Sequence, residues 1–179
     1  MNNYTILKWK KQRNFHFKDE NNSWIVVYEK LFNSDGDLIA VHEDISDWAQ
    51  TVEVLSPNIS TTLLNVDGTK ELCQEENAKL EDFVSYNNLK ANKTYFLDGK
   101  IICKNDGSVV ATSTSMFVPS GNYGQAKVDF ILDTTKYKTD TELVAIESLR
   151  FDEYIIGEHS DLTDKEQTVR LKAAKIDTN

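Results

Sequence analysis

"ELVAIESLRF" (residues 142–151) alternates along an extended chain: Leu143, Ala145, Leu149 and Phe151 fall on one face, and Glu142, Ser148 and Arg150 on the other. Successive strand side chains point to opposite faces, so this period of two reads as a half-buried β-strand and not as a helix. One residue violates its own face. Glu147 sits among the apolar residues, where an unpaired carboxylate would cost several kcal/mol.

The same alternation recurs on either side of this stretch. Runs of five to eight residues are separated by the turn signals "SDGD" (34–37), "VDGT" (66–69), "KNDG" (104–107) and "PSGN" (119–122). The pattern predicts strands at 59–64, 79–86, 94–103, 108–114, 125–132, 142–151, 154–159 and 167–172, with one short helical turn in "TKYKTD" (135–140). Many short strands joined by turns and no sustained helical period describe an antiparallel β-sandwich.

Downstream of the opening stretch lies "HSDLTDKEQTV" (159–169), and "HEDISDWAQTV" (42–52) is a near copy of it. His159 follows His42, and Gln167 follows Gln50, at one interval of 117 residues. Upstream, "WIVVYEKLFNSDGDLIAVHED" (24–44) aligns with "ELVAIESLRFDEYIIGEHSD" (142–161) after a one-residue shift that pairs Glu29 with Glu147. An interval of this length is a domain repeat, too long for a solenoid unit. Residues 55–171 thus read as a complete domain, 24–54 as the closing strands of a preceding repeat, 1–23 as an N-terminal tail and 172–179 as the start of a linker. The basic residues Lys8, Lys10, Lys11 and Arg13 fall in the tail and carry no assigned function.

Composition narrows the partners. The 179 residues are 40% hydrophobic with only two prolines and seven glycines, as in a globular chain. A net charge of −9 argues against nucleic acid and anionic membrane as partners. No apolar run approaches the roughly 18 residues that span a bilayer, and "MNNYTILKWKKQRNFHF" lacks a secretory core, so an export signal is expected outside this chain. Cys73 and Cys103 have no metal-ligand spacing and are expected as free thiols; neither a metal nor a cofactor is expected.

Alternation places three more polar residues inward: Thr61 with Ile59 and Leu63, Asp82 with Leu80, Val84 and Tyr86, and Gln167 with Val169 and Leu171. A buried amide or hydroxyl without a partner costs about 1–3 kcal/mol, so four such groups on separate strands most economically satisfy one another. Two acids in an apolar setting cannot both ionise, and the pair holds a proton at neutral pH. A neutral carboxyl beside Gln167 would polarise its carbonyl, with Thr61 as nucleophile and His159 carrying the hydroxyl proton to departing ammonia. The product would be a side-chain ester between the first and last strands.

The ordered set "ISTTLLNVDGTKE", "LEDFVSYNNLKANKTYFLDGKI", "LVAIESL" and "EHSDLTDKEQTV" resembles the Thr-Gln ester-forming, VaFE-type repeat domains of Gram-positive surface adhesins. The resemblance covers about residues 57–171, with 24–54 matching the tail of a second copy. It implies an Ig-like (CnaB/fibronectin-like) β-sandwich in an adhesin stalk on the cell surface. The neighbouring repeats of the same surface protein would be its partners, and the wall anchor would lie in segments outside this chain.

It also implies Thr61 and Gln167 as the cross-linked pair, Asp82 and Glu147 as proton-sharing acids and His159 as proton shuttle. Where the family has "VVFE" this chain has "VAIE", and "DKEQT" replaces "DKAQT", with Glu166 expected to face solvent. The partial copy keeps Glu29, His42 and Gln50 without a Thr or Asp segment, so it is expected to form no ester of its own and to self-associate or lie disordered.

Four rivals remain at this level. They are a β-sandwich without a cross-link, a ligand- or glycan-binding module, a Lys-Asn isopeptide domain and a turnover enzyme. Trp9, Trp24 and Trp48 all lie outside the complete domain, which disfavours the second, and the first strand offers no inward lysine for the third. The proposed chemistry consumes its own side chains, which describes a single-turnover self-reaction and not an enzyme.

Overall fold

The computed structural model describes residues 8–18 and 22–173, with side chains from Trp24 onward. Two compact units divide between Ser56 and Pro57.

The first unit is one four-stranded antiparallel sheet of β1 (Lys8–Lys18), β2 (Asn22–Phe32), β3 (Leu38–His42) and β4 (Thr51–Leu55). β1 lies along one edge of β2, and β3 and β4 share the other edge. The segment read as a tail therefore contains a strand. Its lysines and arginine hide the apolar alternation that marks a strand, but ladder pairing uses only the backbone. Residues 24–54 are likewise folded into strands and not disordered.

The second unit contains β5 (Asn58–Asn65), β6 (Glu71–Cys73), β7 (Ala78–Asn87), β8 (Tyr95–Cys103), β9 (Val109–Phe117), β10 (Gly124–Leu132), β11 (Glu142–Phe151), β12 (Tyr154–His159) and β13 (Thr168–Lys172). β10-β7-β5 form a small sheet. The larger one runs β6-β13-β11-β8-β9, with β12 also on β11. All pairings are antiparallel except β6 on β13. This is an all-β, Ig-like sandwich.

Every strand expected from alternation is present, displaced at its ends by at most three residues. β6 went unread because three residues cannot display a period, and its parallel partner is about a hundred residues away. "TKYKTD" (135–140) contains turns, one closed by the Tyr137 N–H on the Thr134 carbonyl at 3.2 Å, with no helix.

The core lies between the two sheets. Leu63, Leu80, Val84, Val128 and Phe130 come from the small sheet, and Leu97, Ile101, Leu143, Leu149, Val169 and Leu171 from the large one, all at 0–1% exposure. Gly99, opposite Glu147 in the β8–β11 ladder, is required by close approach. A Cβ there would lie 2.6 Å from the Phe130 ring, which caps the apolar wall beside the acid.

Candidate functional site

Within this core the described buried polar and charged side chains are Thr61, Asp82, Thr134, Thr141, Glu147 and Gln167. Thr134 is satisfied locally, its hydroxyl bonding the Cys73 and Glu75 carbonyls. Thr61, Asp82, Glu147 and Gln167 instead come together from both sheets, as mutual satisfaction requires.

β5 and β7 place the first two. Thr61 pairs with Val84 and Leu63 with Asp82, so Thr61 and Asp82 are diagonal neighbours on one face of the small sheet. β11 supplies Glu147 from the facing sheet. Gln167 lies just before β13, where its carbonyl accepts the Ala145 N–H at 3.0 Å and holds it in the ladder.

Across the sandwich, Thr61 Oγ1 donates to Glu147 Oε2 at 3.3 Å, and Gln167 Nε2 donates to Asp82 Oδ1 at 3.4 Å. Both bonds are long. With both carboxyls ionised, Asp82 Oδ2, Glu147 Oε1 and Gln167 Oε1 would be buried without a hydrogen-bond partner.

These three oxygens are all acceptors, and a proton on one carboxyl is what makes the cluster tolerable. Burial first, and then the hydrogen bond and charge of Asp82, together push the Glu147 carboxyl up to about 10, with only the Thr61 hydroxyl opposing. Burial also raises Asp82, and its hydrogen bond with Glu147 and the electrostatic pull of the neighbouring His159 and Lys70 offset that rise only in part. The shared proton therefore resides on Glu147.

His159 stands directly opposite Glu147 in the β11–β12 ladder, and its Nε2 meets Asp164 Oδ2 at 2.8 Å. The Thr61 hydroxyl bonds Glu147 and not the imidazole. Asp164 also takes the Glu166 N–H on Oδ1 at 2.8 Å, fixing the turn that delivers Gln167. Glu166 points outward with 68% of its side chain exposed. Asp164 and Lys70 are the two site residues that alternation missed. Asp164 left a signal, since Asp47 precedes it by the same interval of 117 residues. Lys70 left none: it reaches the site region from a turn, donating to the Leu63 carbonyl at 2.8 Å and to the Glu166 carbonyl.

In the first unit Glu29 faces His42 across β2 and β3, and His42 Nε2 meets Asp47 Oδ2 at 2.7 Å. Gln50 ends a single 3-10 turn, Trp48–Gln50, before β4. Glu29 and His42 are exposed and Gln50 is half-buried.

A family model described as a T-Q ester bond containing domain matches residues 8–54 and, separately, 57–171. No curated protein sequence is significantly similar to the chain. Among solved structures, a bacterial adhesin from Mobiluncus mulieris containing intramolecular disulfide, isopeptide and ester bond cross-links is similar in two crystal forms. One has a TM-score of 0.59 at 14% identity and the other 0.56 at 15%. Each alignment covers 66% of this chain and 58% of the adhesin chain, so this chain spans under two thirds of that protein. Likeness at such identity establishes the shared fold.

Proposed function

The chain belongs to the T-Q ester bond containing domain family, and from that premise we propose that its second unit is a self-cross-linking stalk module of a cell-surface adhesin, joining Thr61 to Gln167 with loss of ammonia. The observation that carries this reading is the pairing across the sandwich: hydroxyl on Glu147, amide on Asp82, with the pair's proton on Glu147.

In this reading each group has a role. Thr61 Oγ1 attacks the Gln167 carboxamide carbon. Its proton passes to Glu147 Oε2 as the proton already held by Glu147 moves to Asp82, and Asp82, already bonded to Nε2, hands that proton to the nitrogen as the C–N bond breaks. Oxygen replaces nitrogen on the carbonyl, and the nitrogen leaves as ammonia. His159, held by Asp164 and set opposite Glu147 in the ladder, acts through the pair and not by direct contact with the hydroxyl.

The consequence is mechanical. An ester between β5 and the entry to β13 ties the first and last strands of the sandwich, so tension along a stalk bypasses the fold between them. It closes a loop of about 100 residues, for which a covalent tie contributes roughly 4.7 kcal/mol by restricting the unfolded chain. With Asp82 and Gln167 at 0% exposure, water is kept from the bond. The residues react once and are consumed, so the unit is not a turnover enzyme.

The intact mass of the full chain beside Thr61→Ala and Gln167→Ala tests the reading. The parent alone is expected to be lighter by one ammonia, with a Thr61-Gln167 cross-linked peptide after digestion. An undiminished parent mass overturns it.

A further inference from the structure

Thr61 and Gln167 are carried by different sheets, so whatever joins β5 to the turn ahead of β13 sets the distance between them. Leu63, two residues along β5 from Thr61, pairs with Asp82 of β7, but its N–H turns the other way and donates to the Glu166 carbonyl at 2.9 Å. The N–H and carbonyl of one strand residue share an edge, so the Leu63 carbonyl also faces the turn that presents Gln167. The donor it meets there is Lys70 Nζ, at 2.8 Å. The same ammonium donates to the Glu166 carbonyl and lies 3.5 Å from Glu166 Oε2.

Local structure fixes the lysine. In "VDGT" (66–69), Asp67 Oδ1 accepts the Thr69 N–H at 2.9 Å and the Thr69 hydroxyl at 2.7 Å, and the Gly68 N–H closes the turn on the Asn65 carbonyl at 2.8 Å. The chain leaving this turn runs into β6 beside β13, and the Lys70 carbonyl accepts the Arg170 N–H at 2.8 Å. Lys70 is thus tied by its backbone to the strand that follows Gln167. Its side chain ties the strand that carries Thr61 to the residue before Gln167. The two carbonyls converge on one ammonium, and without it their negative ends would face each other and the Leu63 carbonyl would lose its donor.

We propose that Lys70 is a positioning residue for ester formation: its ammonium clamps β5, which carries the Thr61 hydroxyl, to the turn that presents the Gln167 amide, and so holds the reacting groups of the two sheets within reach of each other. The inference rests on the reaction assigned to the second unit, in which Lys70 forms no covalent bond and transfers no proton. The resting site shows why a clamp is needed. Thr61 and Gln167 hold their acids at 3.3 and 3.4 Å, contacts too long to fix the hydroxyl against the amide carbon by themselves. A misplacement of about 1 Å can cost on the order of 10²-fold in rate.

The test follows ammonia loss by intact mass in the full chain, made by cell-free translation and quenched in acid at intervals. Lys70→Met keeps the stem without the donors and is expected to slow the loss by about ten- to a hundredfold. Lys70→Arg keeps the charge and several donors and is expected to restore most of the rate. Tyr95→Leu is the control for lost stability alone: Tyr95 packs on Phe117 and Phe151 at the start of β8, and its loss is expected to leave the rate at the parental value. Each substitution is also placed in Thr61→Ala, which cannot link, to measure melting temperature and hydrogen exchange apart from the chemistry. There Lys70→Met is expected to quicken exchange at the Leu63 N–H, which crosses the join, and to leave the Ala145 N–H, which stays within the large sheet's side of the site, as slow as before. A Lys70→Met rate no lower than that of Tyr95→Leu at equal loss of melting temperature overturns the clamp. So does a Lys70→Arg chain as slow as Lys70→Met, and so does a Lys70→Met chain that is unfolded in the unlinked background, which would assign the lysine to the fold alone. A parent that loses no ammonia overturns the second unit's reaction, and the inference with it.

Discussion

Glu147→Gln separates the acid's chemistry from its packing. Because Glu147 is pushed up to about 10, it is neutral at pH 7, and glutamine replaces it with a side chain of the same length and no charge. The new amide can still donate toward Asp82, so the core should close around it. It cannot accept the Thr61 proton and pass it on. The variant is therefore expected to fold, keep its full mass and lose the stabilisation of the tie. That loss is about 4.7 kcal/mol for a loop of this size, and at roughly 4 °C per kcal/mol it lowers the melting temperature by about 15–20 °C. Intact mass and a thermal melt read the two effects together. Complete ammonia loss in Glu147→Gln would refute the acid's role. A variant unfolded at room temperature would refute the claim that the carboxyl is neutral in the native core.

In Thr61→Ala, which leaves the acids without the ester, stability should fall as pH rises. The folded pKa of Glu147 lies above its unfolded value of 4.5, so the native state binds the extra proton, and the loss runs from about pH 5 to about pH 10. Its slope reaches up to about 1.4 kcal/mol per pH unit, and urea melts across that range measure it; a flat profile would count against the buried proton. Asp164→Ala releases the His159 ring and the Glu166 N–H. It is expected to slow ammonia loss after refolding at least tenfold, the scale of one lost charge-assisted hydrogen bond, with Asp164→Asn intermediate. An unchanged rate would remove His159 and its turn from the reaction.

Strand identity in the second unit was legible because each face carries a different solvent, and alternation records that directly. Inward placement of Thr61, Asp82, Glu147 and Gln167 followed from the same period, since a polar residue among apolar ones on a strand has no other direction to point. Which partner each would find was not legible: Thr61 on Glu147 and Gln167 on Asp82 depend on how two sheets cross, and alternation within one strand contains no information about the facing one. β1 was missed for the opposite reason. Its backbone satisfies a ladder while Lys11 and Arg13 interrupt the alternation of Trp9, Phe15 and Phe17 that would announce it. Lys70 was invisible because its contribution is two bonds to backbone carbonyls, which leave no trace in side-chain pattern.

The division of the proposed reacting groups between sheets has a consequence for when the proposed bond can form. Thr61 and Asp82 belong to the small sheet, and Glu147, His159 and Gln167 to the large sheet and the turn leading into it. Neither sheet alone holds both hydroxyl and amide, and the rise in the Glu147 pKa comes from burial first and Asp82 second, both of which the closed sandwich supplies. An exposed threonine and glutamine brought together by chance in the unfolded chain meet ionised acids and bulk water, and they do not react. Closure of the sandwich therefore has to precede the chemistry. The ester records that the correct strands have docked, and a misregistered sandwich stays unlinked and open to proteolysis.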